Sequence, residues 1–181
     1  MSLQNKVNVL ALKRLSVLDE ENKEILFSDL WKKNKVIIVF VRHFGCISCR
    51  AHVDQIWNKR KDLRAKKNKI IFIGSGTPAS LKMFKSYLNV QDATIYTDPT
   101  LQTFEACGLL NGLGYLVNTK TLKKMFELRK QGYENQVMDT QTGSHKQMGG
   151  VVAYKDPGLI LYHFASEYLG DQDNPDDWPE A

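Results

Sequence analysis

Two cysteines separated by two residues, Cys46 and Cys49, form the pattern with the clearest chemical potential in this chain. They follow a β-branched and aromatic run at 36–41, which predicts a strand buried on both faces, and they precede a helical pattern. A Cys-x-x-Cys in this setting is typical of thiol-disulfide redox sites. The free N–H groups and positive dipole end of the helix stabilise an anion, so we expect Cys46 to ionise readily and attack. Cys49, one turn along, is then placed to resolve a mixed disulfide on Cys46.

Several ionisable residues near the pair in sequence are candidates to assist it. The cationic neighbours are Arg42, His43, Arg50 and His52. His163, at the end of the last predicted strand, has two interpretations of about equal weight, and in the first it faces the pair across the sheet and acts as acid or base. A hydrogen-bonded surface histidine is the alternative interpretation of His163.

Other uses of the cysteines need weighing beside the redox interpretation. Both could be buried small hydrophobes, as free cysteines often are. A zinc site needs three or four ligands, and the sequence has no second Cys-x-x-Cys and no His-x3-5-His, so we expect no metal. Cys107 ends an apolar helical pattern, which favours packing over a further resolving thiol.

Alternating strand and helix patterns predict an α/β fold with a central mixed sheet and helices on both faces. A hairpin is predicted at the start of the chain, and an antiparallel hairpin at 151–164 follows the parallel part. Thr77 followed by Pro78 predicts a helix start, with the helix reaching about Leu88. Gly74-Ser75-Gly76 lies between a strand and this helix, which raises dinucleotide binding. The third glycine of that fingerprint is missing, which favours a tight connection.

The length of 181 residues predicts one domain, 1–181. Residues 1–14 are interpreted as an N-terminal extension, and 109–149 as an insertion before the last hairpin. The tail at 171–181 carries five acidic residues and no base. We expect this tail to lie on the surface or fray, or to fold back over the helix terminus and limit access to Cys46.

Composition and charge exclude several classes of protein. The longest apolar run, at 36–41, is too short to cross a bilayer, and the start of the chain lacks a signal-peptide core, so we expect a cytoplasmic protein without a membrane span. The net charge is +5, with a basic cluster at 59–69. Because aromatic residues are not interleaved with those bases, we interpret the cluster as a solvated helix face and expect no nucleic-acid partner.

Motifs spread over nearly the whole chain resemble the peroxiredoxin-like branch of the alkyl hydroperoxide reductase and thiol-specific antioxidant (AhpC/TSA) family. They lie at 40–50, 73–76, 96–99, 149–151, 162–163 and 170–171. The resemblance implies a thioredoxin-like fold, a redox-active Cys46/Cys49 pair and thiol-dependent reductase activity on a peroxide or disulfide. Some animal members are described as reducing prostaglandin endoperoxides. Electrons would come from an external thiol such as thioredoxin or glutathione, with no bound cofactor.

The sequence also departs from the family pattern. Typical peroxiredoxins carry a threonine three residues before the attacking cysteine and a proline four residues before that threonine, where this chain has His43 and Val39. Gly149 stands where thioredoxins place a cis-proline beside the disulfide, which predicts a more open sulfur pair. The alternative function is a thioredoxin-fold binding module whose cysteine pair does not turn over, with the basic helix or acidic tail docking a partner.

Overall fold

The strand that leads to Cys46 lies at the centre of a seven-stranded sheet. The computed structural model describes residues 4, 6–32, 35–65, 69–112, 114, 119–134 and 141–179, except for the side chains of 63–65. The strands of this part are β1 Ser16–Leu18, β2 Glu24–Leu26, β3 Lys35–Phe40, β4 Lys69–Gly74, β5 Ile95–Thr97, β6 Gly150–Lys155 and β7 Leu159–Ala165. Their order in the sheet is β2-β1-β5-β4-β3-β6-β7.

The sheet is mixed, as the alternation of strands and helices predicts. β3 pairs in parallel with β4, and β4 with β5. β6 pairs antiparallel with both β3 and β7, and β1 pairs antiparallel with β2. Both predicted hairpins are therefore confirmed.

Both faces of β3 are covered, which explains its unbroken apolar run. Ile37 and Val39 pack on one face with side chains of the helices α2, Ile47–Asn58, and α4, Pro78–Leu88. Val36, Ile38 and Phe40 pack on the other face with α1, Val9–Leu12, α5, Gln102–Ala106, and the 3-10 turn Phe27–Leu30. Each fully buried aliphatic or aromatic side chain contributes roughly 1.5–3 kcal/mol by leaving water.

The helix starts follow the local signals in the sequence. Thr77 accepts a hydrogen bond from the Ser80 N–H, and α4 begins at Pro78 and ends at Leu88. The long helical pattern after Cys49 is divided at Lys59 into α2 and α3, Arg60–Ala65. Of the basic cluster, Lys59 and Lys61 are exposed, whereas Lys66, Lys67 and the Arg64 side chain lie outside the described residues.

The segment predicted as an insertion, 109–149, contains α6, Thr119–Lys130, and a run at 141–148 that hydrogen-bonds to the loops following β3 and β4. Residues 113, 115–118 and 135–140 of this segment lie outside the described part. Its boundaries as an insertion stay a prediction.

The expectation that the tail lies on the surface or frays is wrong for Trp178, whereas Asn174, Asp176 and Asp177 are exposed. Trp178 is 3% exposed and packs with α2 and α4 in the core. The indole N–H donates to the Asp173 carboxylate within the tail, and the Lys35 ammonium donates to the Pro179 carbonyl, which ties the tail to the domain. The tail packs because burial of the large Trp178 side chain stabilises the docked tail more than the surrounding acidic residues destabilise it. In the described part of the chain, no helix has the length and apolarity needed to span a membrane.

Candidate active site

Cys46 occupies the N-cap position of α2, so its sulfur lies where the free N–H groups of a helix point. Its backbone is extended, with φ −75° and ψ 121°, and Sγ accepts the Cys49 backbone N–H at 3.4 Å. Five residues, 41–45, carry the chain from the end of β3 to this position, and all of them are buried. Strand and helix together thus fix the sulfur from both sides.

Arg42 supplies a second donor to the same sulfur. Its Nη1 lies 3.5 Å from Cys46 Sγ. The guanidinium is held by two backbone carbonyls, with Nη2 to His145 at 2.6 Å and Nε to Gln147 at 2.9 Å. Arg42 is 4% exposed, so its charge acts on the sulfur through little intervening water.

The surroundings of the pair shift the pKa values of the two thiols in opposite directions. A hydrogen bond from the Cys49 thiol lowers the pKa of Cys46 well below its ordinary value; burial opposes this shift, and the Arg42 charge and the Cys49 backbone N–H add to it. Burial raises the pKa of Cys49 well above its ordinary value, and the hydrogen bond with Cys46 acts in the same direction. These opposite shifts make Cys46 the thiol that ionises first and keep Cys49 protonated to higher pH.

His43 lies beside the sulfur and contacts a histidine that the sequence analysis missed. The rings of His43 and His145 meet edge to face at 4.6 Å between centroids, with Nε2 of His43 3.4 Å from Nδ1 of His145. Burial lowers the pKa of His43 to about 4, helped by the charge of Arg42, so its ring is neutral at pH 7. His145 is half-buried and lines a surface groove of about 480 Å³. No local signal marks His145, because it is 102 residues away from His43.

Arg50 makes its described hydrogen bonds to backbone carbonyls and not to the Cys46 sulfur. It is 1% exposed, its guanidinium carbon lies 3.8 Å from the Tyr87 ring centroid, and its described hydrogen bonds go to the carbonyls of Phe44 and Glu134. Burial lowers the pKa of Arg50. Its influence on the pair is that of a nearby charge.

The tail closes the other side of the pair. Gln172 Nε2 donates to the Ser48 carbonyl at 2.6 Å, and Asp173 Oδ1 lies 3.3 Å from His52 Nε2. Between tail and helix lies a narrow cavity of about 20 Å³ beside Cys49, room for one water molecule. Ser48 Oγ is also 3.7 Å from Cys46 Sγ, a contact the sequence analysis did not single out.

The interpretation in which His163 faces the cysteine pair is wrong, and so is the expectation that Gly149 leaves the pair more open. His163 is paired with Val152 and lies on the opposite face of the sheet, where its Nε2 is 2.8 Å from the Cys107 carbonyl. Its position in the strand gives it that face, because successive strand residues alternate sides. Gly149 does not leave the sulfurs open either, since Cys46 is 3% and Cys49 6% exposed. A Cβ at Gly149 would lie 2.6 Å from the Phe40 carbonyl oxygen, so the glycine serves close strand packing.

Cys107 has the character of a packing residue. It is fully buried with its sulfur 3.0 Å from Tyr154 Oη, and burial raises its pKa to about 12. Among the described residues, no group of three or more His, Cys, Asp or Glu is arranged to hold a metal ion.

A buried Cys-x-x-Cys at the strand-to-helix turn of this mixed sheet defines a thioredoxin-fold protein related in structure to peroxiredoxins. A family model described as AhpC/TSA antioxidant enzyme matches residues 55–167, and the chain belongs to that family. The match begins after Cys46 and Cys49. The predicted family and fold class are confirmed.

Individual relatives and solved structures agree with this membership. A thioredoxin-like protein AAED1 of Arabidopsis thaliana, described as chloroplastic, is 29% identical over 167 residues, which cover 89% of this chain and 67% of that protein. Peroxiredoxin-like 2C of Bos taurus is 30% identical over 56% of this chain and 45% of its own length, so the chain spans less than half of it. A peroxiredoxin-like protein from Aquifex aeolicus has a similar fold, with a TM-score of 0.61 at 14% identity over 90% of this chain and 77% of that one.

Proposed function

We propose that the protein is a thiol-dependent peroxide reductase in which Cys46 attacks the substrate and Cys49 resolves the oxidised cysteine. The observation that carries this proposal is the pair of donors on the Cys46 sulfur, the Cys49 N–H at 3.4 Å and Arg42 Nη1 at 3.5 Å. Donors in this arrangement stabilise a thiolate and lie next to the place where the oxygen-oxygen bond must break.

The first step joins sulfur to oxygen. The Cys46 thiolate attacks the terminal oxygen of a hydroperoxide, the S–O bond forms and the O–O bond breaks. Sulfur is oxidised to a sulfenic acid while the peroxide is reduced, and the leaving alkoxide takes a proton from solvent to become an alcohol. The Arg42 guanidinium faces the negative charge that shifts from sulfur to oxygen.

The second step closes the disulfide. The sulfur of Cys49 attacks Cys46, the S–S bond forms, and hydroxide leaves with the Cys49 proton as water. Burial raises the pKa of Cys49, so its thiol still carries the proton when it attacks and gives that proton to the leaving hydroxide. An external dithiol such as thioredoxin, or two glutathione molecules, then returns two electrons and two protons. We place this cycle in the cytoplasm, where such reductants keep thiols reduced.

Burial favours a peroxide over a disulfide as the oxidant. Only 3% of Cys46 is exposed, so a protein disulfide cannot bring its sulfur and carbon substituents into line without opening the site. A small hydroperoxide needs far less room. His43 and Val39 replace the threonine and proline of typical peroxiredoxins, and in this proposal Arg42 and Ser48 provide polar groups near the sulfur instead.

The test is a time course of intact mass after one equivalent of hydrogen peroxide is added to the reduced protein, with glutathione as the rate control. We expect loss of two hydrogens, between Cys46 and Cys49, much faster than glutathione oxidises. Cys46→Ser should abolish the fast phase, and Cys49→Ser should stop at a sulfenic acid that dimedone traps. Cys107→Ser is the matched control and should react like the wild type, because Cys107 lies on the other side of the sheet.

Two results would count against the proposal. Oxidation no faster than that of glutathione would remove the peroxidase activity and turn the search to a disulfide substrate. A fast phase that survives in Cys46→Ser would remove Cys46 from its assigned role.

A further inference from the structure

The turn Gly74-Ser75-Gly76 packs directly against the loop that carries Cys46. A Cβ on Gly74 would lie 2.3 Å from the Phe44 ring, and a Cβ on Gly76 would lie 2.6 Å from the same ring and 2.7 Å from the Thr142 carbonyl oxygen. Both glycines are therefore needed for close contact with the site loop. Close packing against the site loop therefore explains both glycines, and nucleotide binding is not needed to account for them.

Ser75 connects the two chain segments that hold Arg42. Its hydroxyl donates to the Arg42 carbonyl at 2.5 Å and accepts the Ser144 N–H at 3.0 Å. Ser75 is 4% exposed, so these bonds form away from water. The turn itself is braced by Thr97, whose hydroxyl lies within hydrogen-bonding distance of the Gly74 and Gly76 carbonyls.

The Ser75 hydroxyl helps to hold both the backbone and the guanidinium of Arg42 in place. The backbone of Arg42 is bound by Ser75 directly, and the guanidinium is bound by the carbonyls of His145 and Gln147, one and three residues after Ser144. A displacement of the 144–147 run relative to β3 would move the guanidinium away from the sulfur, 3.5 Å from Nη1. Ser75 opposes such a displacement.

We propose that Ser75 is a positioning residue that holds the Arg42 guanidinium against the Cys46 sulfur by tying residue 42 to the 144–147 run. The inference deepens the proposed function and rests on it, because it assigns Ser75 a part in preparing the attacking thiolate. Ser75 itself has no contact with Cys46 among its described hydrogen bonds.

The test is the ionisation of Cys46 in Ser75→Ala, measured without any peroxide. The readout is the pH dependence of iodoacetamide alkylation at the Cys46 peptide, together with the ultraviolet absorbance of the thiolate. We expect the pKa of Cys46 to rise by about 1, so that about tenfold less thiolate is present at a pH below the pKa. Thermal unfolding of each variant verifies that the fold is retained.

Ser80→Ala is the matched control. Ser80 is also a buried serine, and its hydroxyl donates to the Gln141 carbonyl at 2.7 Å, so it docks the same 141–148 run without touching Arg42. Its Cys46 pKa should equal that of the wild type. A Ser75→Ala protein that is folded and has an unchanged Cys46 pKa overturns the proposal, and so do equal rises in both variants.

Gly143→Ala probes the same contact from the opposite side and decides the matter should Ser75→Ala fail to fold. Gly143 has φ +115°, and a Cβ there would lie 2.4 Å from the Ser75 hydroxyl oxygen. A raised Cys46 pKa in this variant supports the proposal, and an unchanged one overturns it. Because peroxide is absent from every one of these measurements, failure of the proposed peroxidase activity would not be mistaken for failure of Ser75's role.

Discussion

Removing the charge of Arg42 should shift the reactivity of Cys46 to higher pH. Arg42→Gln keeps a polar side chain of similar reach but deletes the cation whose Nη1 lies 3.5 Å from the sulfur. Two unit charges about 4 Å apart interact by about 4 kcal/mol at an effective dielectric constant of about 20, equivalent to about 3 in pKa. The Cys49 N–H remains in the variant, so we expect the pKa of Cys46 to rise by about 2 to 3.

The assay follows the alkylation of Cys46 by iodoacetamide as a function of pH. Thiolate is the reactive form and exists above the pKa. The wild-type rate should therefore reach its plateau at a lower pH than the variant's, because its Cys46 pKa lies well below the ordinary value. The variant's alkylation rate should instead rise about tenfold for each pH unit through neutrality. Its reaction with hydrogen peroxide at pH 7 should slow by the same factor as its alkylation at that pH.

Arg60→Gln is the matched control, since Arg60 lies over the Trp57 ring at the end of α2, with its guanidinium donating to the Trp57 carbonyl. Its alkylation profile should overlay that of the wild type. An Arg42→Gln profile that also overlays the wild type, in a protein with native thermal stability, would refute the reasoning. The helix terminus and the Cys49 N–H would then be sufficient to hold the thiolate.

Four further outcomes follow from the same structure. Because burial lowers the pKa of His43 to about 4 from an ordinary 6.5, the folded state binds fewer protons than the unfolded state in that range, so stability present above pH 6.5 should fall by about 3 kcal/mol as pH drops toward 4. His43→Asn should flatten this slope in urea unfolding, and parallel slopes would argue against the assignment. Gly149→Ala should cost about 1–3 kcal/mol through its clash with the Phe40 carbonyl, while Gly114→Ala, whose Cβ meets no described atom within 4 Å, should be nearly neutral in the same measurement. Gln172→Ala removes the cap on the Ser48 carbonyl and should raise alkylation of Cys49 severalfold in peptide-resolved mass spectrometry; an unchanged rate would show that the tail does not limit access. Cys107, with its pKa near 12, should resist alkylation in folded protein until unfolding, and rapid labelling would contradict its burial.

Much of the fold could be predicted because its signals are local. The unbroken apolar run of β3, the Thr77-Pro78 start of α4 and the two hairpins each depend on periodicity, capping or turn residues within a few positions. The break at Lys59 escaped prediction because the apolar pattern continues across it. The packing of Trp178 escaped because an acidic, proline-containing tail carries no local sign of the core it joins.

The sequence by itself determined the Cys-x-x-Cys at a helix start, and it predicted Cys46 as the thiol that ionises first because a helix terminus favours an anion on its first residue. Only the tertiary structure decided what surrounds the pair. Arg42 is turned onto the sulfur by carbonyls 103 and 105 residues away, His145 reaches His43 across 102 residues, and Gln172 reaches Ser48 across 124. His163 lies on the face of the sheet opposite the cysteine pair, because successive residues of β7 alternate sides. Contacts between distant segments depend on the register and packing of the whole sheet, which no local pattern encodes.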